Sequence, residues 1–391
     1  MSARETLCDV TPRASRAVLV TGSAGFVSFF MLFAVVPALA NEKIGTLGAG
    51  VATGSLLTAT VLTQLAVPTL LRKVAPSWLM AAALLLLALP SAVYALDPGV
   101  PALLGATVLR GAGFGLLTIV STSLAAHYAP VGRQGAALGW LGLVTALAGV
   151  VSPGLGVWLL DTVSATVPAL IGLVVPLVGL VALGPIHRAS REPISAPKAV
   201  QGSIGPGRPR LTHAGLWIPL AMYLPGAMTY GVMYTFLPEF SGIAALALVT
   251  FGAGYALGRT YGGRWTDRWG TLRILVPATA VSALVVPLLA WTSVQWLTVL
   301  AALVLGCSLG TSATSSLAGM MQRVSADGYG HISAAWNINF DVGIALGGVL
   351  IGVIVVLTGF TGALVACALA LGVVAVLGAI RLKPVAAVSQ E

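Results

Sequence analysis

The sequence predicts an all-α membrane protein in which twelve transmembrane helices form two pseudo-symmetric six-helix bundles. Three observations predict it. Of 391 residues, 58% are apolar and only 8% are charged, with a mean hydropathy of +0.98. Apolar runs of membrane length recur from end to end, about 20 residues sufficing to cross the hydrocarbon core. The two halves of the chain also repeat one another around a polar centre, the signature of an internally duplicated transporter.

Taken in order, the runs fall at 17–39, 46–71, 77–96, 101–125, 135–160 and 166–185 in the first half. The second half carries 214–237, 243–262, 273–291, 296–320, 332–356 and 361–380. The first run is longer than a signal-peptide core, so it is expected to stay as a span. Residues 186–212 interrupt the rhythm with basic residues and four prolines, Pro193, Pro197, Pro206 and Pro209. That segment reads as a cytoplasmic linker between an N-terminal half, 1–185, and a C-terminal half, 213–391. At an offset of 196, Arg72 after span 2 matches Arg268 after span 8, and Trp140 in span 5 matches Trp336 in span 11.

Charge sets the expected topology. There are 20 Lys and Arg against 11 Asp and Glu. With both termini cytoplasmic, nearly all the basic residues lie on the cytoplasmic side and Lys43 alone lies opposite, beside Glu42, Asp97, Asp161 and Glu239. Arg259, near the end of span 8, is counted with the cytoplasmic group. The basic excess thus orients a multi-pass protein of the cytoplasmic membrane and gives no reason to expect nucleic acid. The partners implied are the bilayer and a small-molecule substrate, with the chain working as a monomer. Cys8, Cys307 and Cys367 supply neither a disulfide framework nor metal-ligand spacing.

After span 8 stands Gly263-Arg264-Trp265-Thr266-Asp267-Arg268-Trp269-Gly270, then Arg273. This resembles the loop signature of the major facilitator superfamily, Gly-x-x-x-Asp-Arg-x-Gly with a trailing basic residue. The resemblance implies a cytoplasmic latch, or gate, made by Gly263, Asp267, Arg268 and Gly270. The first half keeps only Arg72 of the pattern. In span 4, Thr107-Val108-Leu109-Arg110-Gly111 is similar to the family's fourth-helix motif with its arginine moved one turn. Pro130, Arg133 and Gly135 resemble the usual connection to span 5. There, Ala148, Ser152, Pro153 and Gly156 resemble a degenerate form of the motif found in exporters, and this bears on direction. Small residues four apart also serve plain helix packing.

Arg110 and Asp341 are the two charges placed deep inside apolar runs, where a charge costs about 2.5–3.5 kcal/mol on insertion scales. The family's architecture would put them at similar depth in opposite halves. Asp341 is the expected proton carrier, and Arg110 is expected to face an anion on the substrate or the protein. Asn337 shares the face of Asp341. Phe30 in span 1, Tyr230 and Tyr234 in span 7 and Thr311 in span 10 are expected to line an apolar, aromatic pocket suited to an amphipathic solute. Ser308, Ser312 and Ser315 belong to the same hydroxyl stripe as Thr311. Each of these residues has a plain packing role as its alternative.

Other patterns are discounted. Gly306-Cys307-Ser308-Leu309-Gly310 fits an esterase elbow but lies inside a span. Gly252-x-Gly254 and Gly258 fit helix packing better than a nucleotide loop, and no Gly-Lys-Ser/Thr loop is present. The expectation is therefore no enzyme, no cofactor and a proton gradient as energy source. The function expected is proton-coupled export of a small neutral or anionic amphipath. Proton-coupled uptake of an organic anion and a non-transporting membrane sensor are the alternatives.

Overall fold

The computed structural model describes residues 3–129, 134–189, 214–291, 294–323 and 329–380. Most of the linker lies outside these residues, as do Pro130 and Arg133. Side chains of 1–12 and 130–136, Cys8 and Gly135 among them, also fall outside.

Every one of the twelve apolar runs is helical, and prolines explain most of the breaks. Span 1 is Ala3–Phe33 followed by Val35–Ile44. Pro37 has no N–H to give to the Phe33 carbonyl, so the helix restarts one turn before it. Span 2, Thr46–Lys73, follows Gly45 at φ +74°, a conformation that glycine adopts without strain. Span 3 is Pro76–Ala88 and then Ser91–Tyr94, split beside Pro90. Spans 4, 5 and 6 are Val100–His127, Gln134–Thr162 and Thr166–Val181. Spans 7 and 8 are Ala214–Phe240 and Ala244–Trp269. Span 9 is Thr271–Val285 with a 3-10 turn, Val286–Ala290, and span 10 is Gln295–Met321. Span 11 starts as Tyr329–Leu346, passes through a π turn at Gly347–Ile351 and enters Gly352–Ile380. Gly359, at φ +76°, breaks that last helix and begins span 12.

Within the first half, span 1 packs on spans 4, 5 and 6, and span 2 on span 4. Within the second, span 7 packs on spans 10, 11 and 12, and span 8 on span 10. The span 8–span 10 seam is glycine-built. A Cβ on Gly254, Gly258, Gly306 or Gly310 would collide with backbone of the facing helix. Residues that small let membrane helices touch main chain to main chain. Gly254, Gly258, Gly306 and Gly310 of the two discounted motifs thus belong to this seam, and Ser308 faces into the bundle, its Oγ 2.7 Å from that of Ser282.

Across the halves, span 2 meets span 11 and span 5 meets span 8. These contacts crowd toward one end of the bundle. A Cβ on Gly50 would strike the Gly348 carbonyl, and one on Gly154 would strike Val249 and the Ala245 carbonyl. The Thr53 and Thr235 hydroxyls lie 2.8 Å apart, and Thr46 donates to Glu239 at 2.8 Å. At the other end, where Arg72 and Arg268 lie, the same helices part. Gly139 stands three turns before Val150 on span 5, and a Cβ there meets nothing within 4 Å. Its expected partner on span 8, Gly263, meets only Thr314 of its own half. The halves are closed at the Glu239 end and open at the Arg268 end.

Candidate functional site

The two charges picked out in the sequence have different surroundings. Arg110 is 2% exposed and lies against the break in span 3. Its guanidinium donates to the Leu87 carbonyl, to Ser91 Oγ and, at 2.8 Å, to the Ser28 carbonyl. Pro90 and the turn after Ala88 leave span 3 with carbonyls that an intact helix would use, and Arg110 takes one up. No carboxylate pairs with it: among the described residues the one ion pair is Lys43–Asp97, at 2.6 Å and exposed. The arginine is instead neutralised by oriented carbonyl and hydroxyl dipoles. The cavity beside it, bounded by Phe29, Phe33, Leu56 and Tyr94, holds about 10 Å³, room for a single water.

Asp341 sits on the interface between the halves. Gln64 Nε2, from span 2, donates to its Oδ2 at 3.1 Å and also reaches Thr118 Oγ1 of span 4 at 3.4 Å. Thr118 is two turns beyond Arg110, about 12 Å along the helix at 1.5 Å per residue. The two charges therefore do not share a depth, and Asp341 is nearer the open end. Asn337, one turn earlier, is exposed, and its amide donates to the Ser333 carbonyl at 2.8 Å. Gln64 was not singled out in the sequence. Its signal was an amide inside an apolar run.

A second feature also escaped the sequence reading. Arg259 belongs to the body of span 8, ten residues before the helix ends at Trp269. It is exposed, with its guanidinium carbon 5.9 Å from the Tyr255 ring centroid and 5.7 Å from that of Trp336. Counting it with the cytoplasmic loops was an error, because it lies inside the apolar run 243–262 as well as inside the helix. Behind it stands an aromatic wall. Trp336 stacks on Tyr223 at 5.3 Å and on Phe340 at 5.6 Å, and Tyr230 meets Phe340 at 5.2 Å and Tyr255 at 5.0 Å. The Tyr223 and Tyr255 hydroxyls are 3.0 Å apart.

The remaining predicted residues divide between this wall and the packing. Tyr234 touches Phe33 across the halves at 5.3 Å, and its buried hydroxyl makes no hydrogen bond within geometric limits. Phe30 packs edge-on against Phe29 and Phe114. Thr311 lies in the span 8–span 10 seam, donating to the Gly258 carbonyl at 3.3 Å. The rest of the hydroxyl stripe also faces inward, Ser315 to Thr266 at 2.7 Å and Ser312 to Thr279 at 3.5 Å. In span 5, Ser152 and Pro153 are buried, and Gly156 fits against the Met31 carbonyl of span 1. The gate loop stays within its own half: Gln322 Nε2 reaches Asp267 Oδ1 at 3.5 Å, Arg268 lies over Trp269, and Gly270 turns the chain at φ +88°.

Comparison with known proteins agrees with this architecture. The family model described as Major Facilitator Superfamily matches residues 19–246 and 240–390. No curated protein matches. Among solved structures, the chain is similar to a bacterial homologue of the human lysosomal transporter Spinster, in an inward-facing and unoccupied conformation. Identity is 16%, coverage 95% of this chain and 96% of that one, and the TM-score 0.69. It is similar to the peptide transporter POT at 13% identity, coverage 94% of each chain and TM-score 0.72. The nucleoside transporter NupG gives 14% identity, coverage 95% and 100%, and TM-score 0.68. At these identities the likeness is one of fold, while the family model spans nearly the whole sequence. The chain belongs to the major facilitator superfamily, a family of membrane transporters and not of enzymes.

Proposed function

We propose that this multi-pass secondary transporter exports a small neutral or anionic amphipathic molecule in exchange for protons, by alternating access. The observation that carries the reading is the Gln64–Asp341 hydrogen bond, which puts the one carboxylate of the central region on the surface where the halves must slide. An ionised Asp341 only accepts hydrogen bonds, whereas a protonated one also donates, so each proton bound or lost rewrites that contact. Asp341 is already buried, 7% exposed, while that end is open, so an anion there needs a proton or a compensating charge. With basic loops and termini on the cytoplasmic side, the opening at the Arg268 end faces the cytoplasm. The gate residues Gly263, Asp267, Arg268 and Gly270 stand at its mouth. Ser152, Pro153 and Gly156 support export through their likeness to the exporters' motif.

A second reading, proton-coupled uptake of an organic anion, is favoured by Arg259, a cation in the open region with no carboxylate paired to it among the described residues. Direction decides between the two. Purified protein in liposomes with an internal pH dye, screened with anionic, neutral and cationic amphiphiles, is the test. Substrate-dependent proton flux that disappears in Asp341→Asn supports coupling through Asp341. Equal flux in both proteins removes Asp341 from the mechanism, and silence from the wild type refutes transport of these amphiphiles.

A further inference from the structure

We infer that Arg259, laid across Tyr255 and Trp336, is the binding group for the acidic end of an amphipathic organic anion, a carboxylate or sulfonate. The inference rests on the transporter reading and names the substrate class of its site. Three observations carry it.

The first is position. Gly252 and Arg259 are seven residues apart on span 8 and share a helix face. A Cβ on Gly252 would press on the backbone of Val150 in span 5, so that face is the one turned to the other half. Two turns toward the open end the halves have separated, and Arg259 is exposed there. It therefore looks into the gap between the halves.

The second is charge. Arginine keeps its proton, and a ring face attracts a cation without neutralising it. Among the described residues Arg259 has no ion-pair partner, and Asp341 is engaged by Gln64. The Arg259 guanidinium carbon stands 5.9 Å from the Tyr255 ring centroid and 5.7 Å from that of Trp336, and a planar guanidinium carries a fork of N–H donors that matches a carboxylate.

The third is the surface around it. Trp336, Phe340, Tyr230 and Tyr223 form one continuous aromatic wall beside the guanidinium. Tyr223, Tyr230 and Trp336 are buried and back the part-exposed Phe340, whose ring receives the apolar body of an amphipath while the fork receives its acid. Trp336 and Phe340 share span 11 with Asp341, so ligand seated on this wall presses on the helix that carries the titrating carboxylate.

The test is equilibrium binding to the full chain in lipid nanodiscs, using 2-naphthoate, 2-naphthalenemethanol and 2-naphthylmethylammonium as probes of one shape and three charges. The wild type is expected to bind the carboxylate at least about tenfold more tightly than the alcohol, the order expected of a charge-assisted hydrogen bond. Arg259→Gln is expected to erase that preference while leaving alcohol binding unchanged, and Arg259→Lys to restore part of it. Trp336→Ala is expected to weaken acid and alcohol alike. Thermal unfolding of each variant confirms that it is folded. Failure of naphthoate to outbind the alcohol, or an intact preference in folded Arg259→Gln, overturns the assignment. The transporter reading fails separately: it falls if no amphiphile moves protons in liposomes, and it survives if a neutral one does so without regard to Arg259.

Discussion

Arg110 and Asp341 stood out in the sequence for the same reason, a charge inside an apolar run, and the structure gives them different surroundings. Arg110 is spent on Ser28, Leu87 and Ser91, closing the break in span 3. Its replacement by Gln removes the charged donor shared by the Ser28 and Leu87 carbonyls and Ser91 Oγ, and each hydrogen bond to a charged group is worth about 1.5–3 kcal/mol. Arg110→Gln is therefore expected to lower the thermal unfolding midpoint markedly while flux per folded molecule is retained. Lost flux at unchanged stability would place Arg110 in the transport path instead. Gln64 has the complementary signature. Gln64→Leu removes the hydrogen bond to Asp341, about 1.5–3 kcal/mol when the acceptor is charged. Its expected effect is a changed pH dependence of flux, read with the same dye assay, beside a loss of stability of that order.

At the scale of elements, glycines decide how helices meet. Gly258 faces the Cys307 carbonyl so closely that a methyl group has no space, whereas Gly142 in span 5 faces nothing within 4 Å. Overpacking of this kind costs about 1–3 kcal/mol. Gly258→Ala is expected to lose that much stability in thermal or denaturant unfolding, and Gly142→Ala to be nearly silent. Equal losses would mean that intrinsic glycine effects, and not the seam, govern the span 8–span 10 contact. The apolar period that predicts these helices says nothing about which glycines lie in seams, because a helix in lipid is apolar all round.

At the scale of the molecule, the closed end and the open end define one state of a two-state machine. Thr53 of span 2 and Thr235 of span 7 touch only while the Glu239 end is closed. A Thr53→Cys, Thr235→Cys pair is expected to cross-link under mild oxidation, to stop transport and to recover it on reduction. Transport that continues in the cross-linked protein would show that this end need not open. A cysteine in place of Gly139 is expected to react with a membrane-impermeant maleimide from the Arg268 side, and its protection there would contradict an open mouth.

What the sequence determined by itself was what depends on local composition and repetition. Twelve helices follow from run length and the bilayer, and their pairing into halves follows from the offset between Arg72 and Arg268 or Trp140 and Trp336. The family followed from the Gly263–Gly270 loop. Tertiary structure decided the meaning of the buried polar groups, since a side chain inside a span takes its role from what the neighbouring helix presents. Arg110 found a carbonyl at the break in span 3 and another in span 1, and Asp341 found an amide on the opposite half. Thr311 and its hydroxyl neighbours turned into a glycine seam. Arg259 found Tyr255 and Trp336, which lie 81 residues apart in sequence and are joined only by packing.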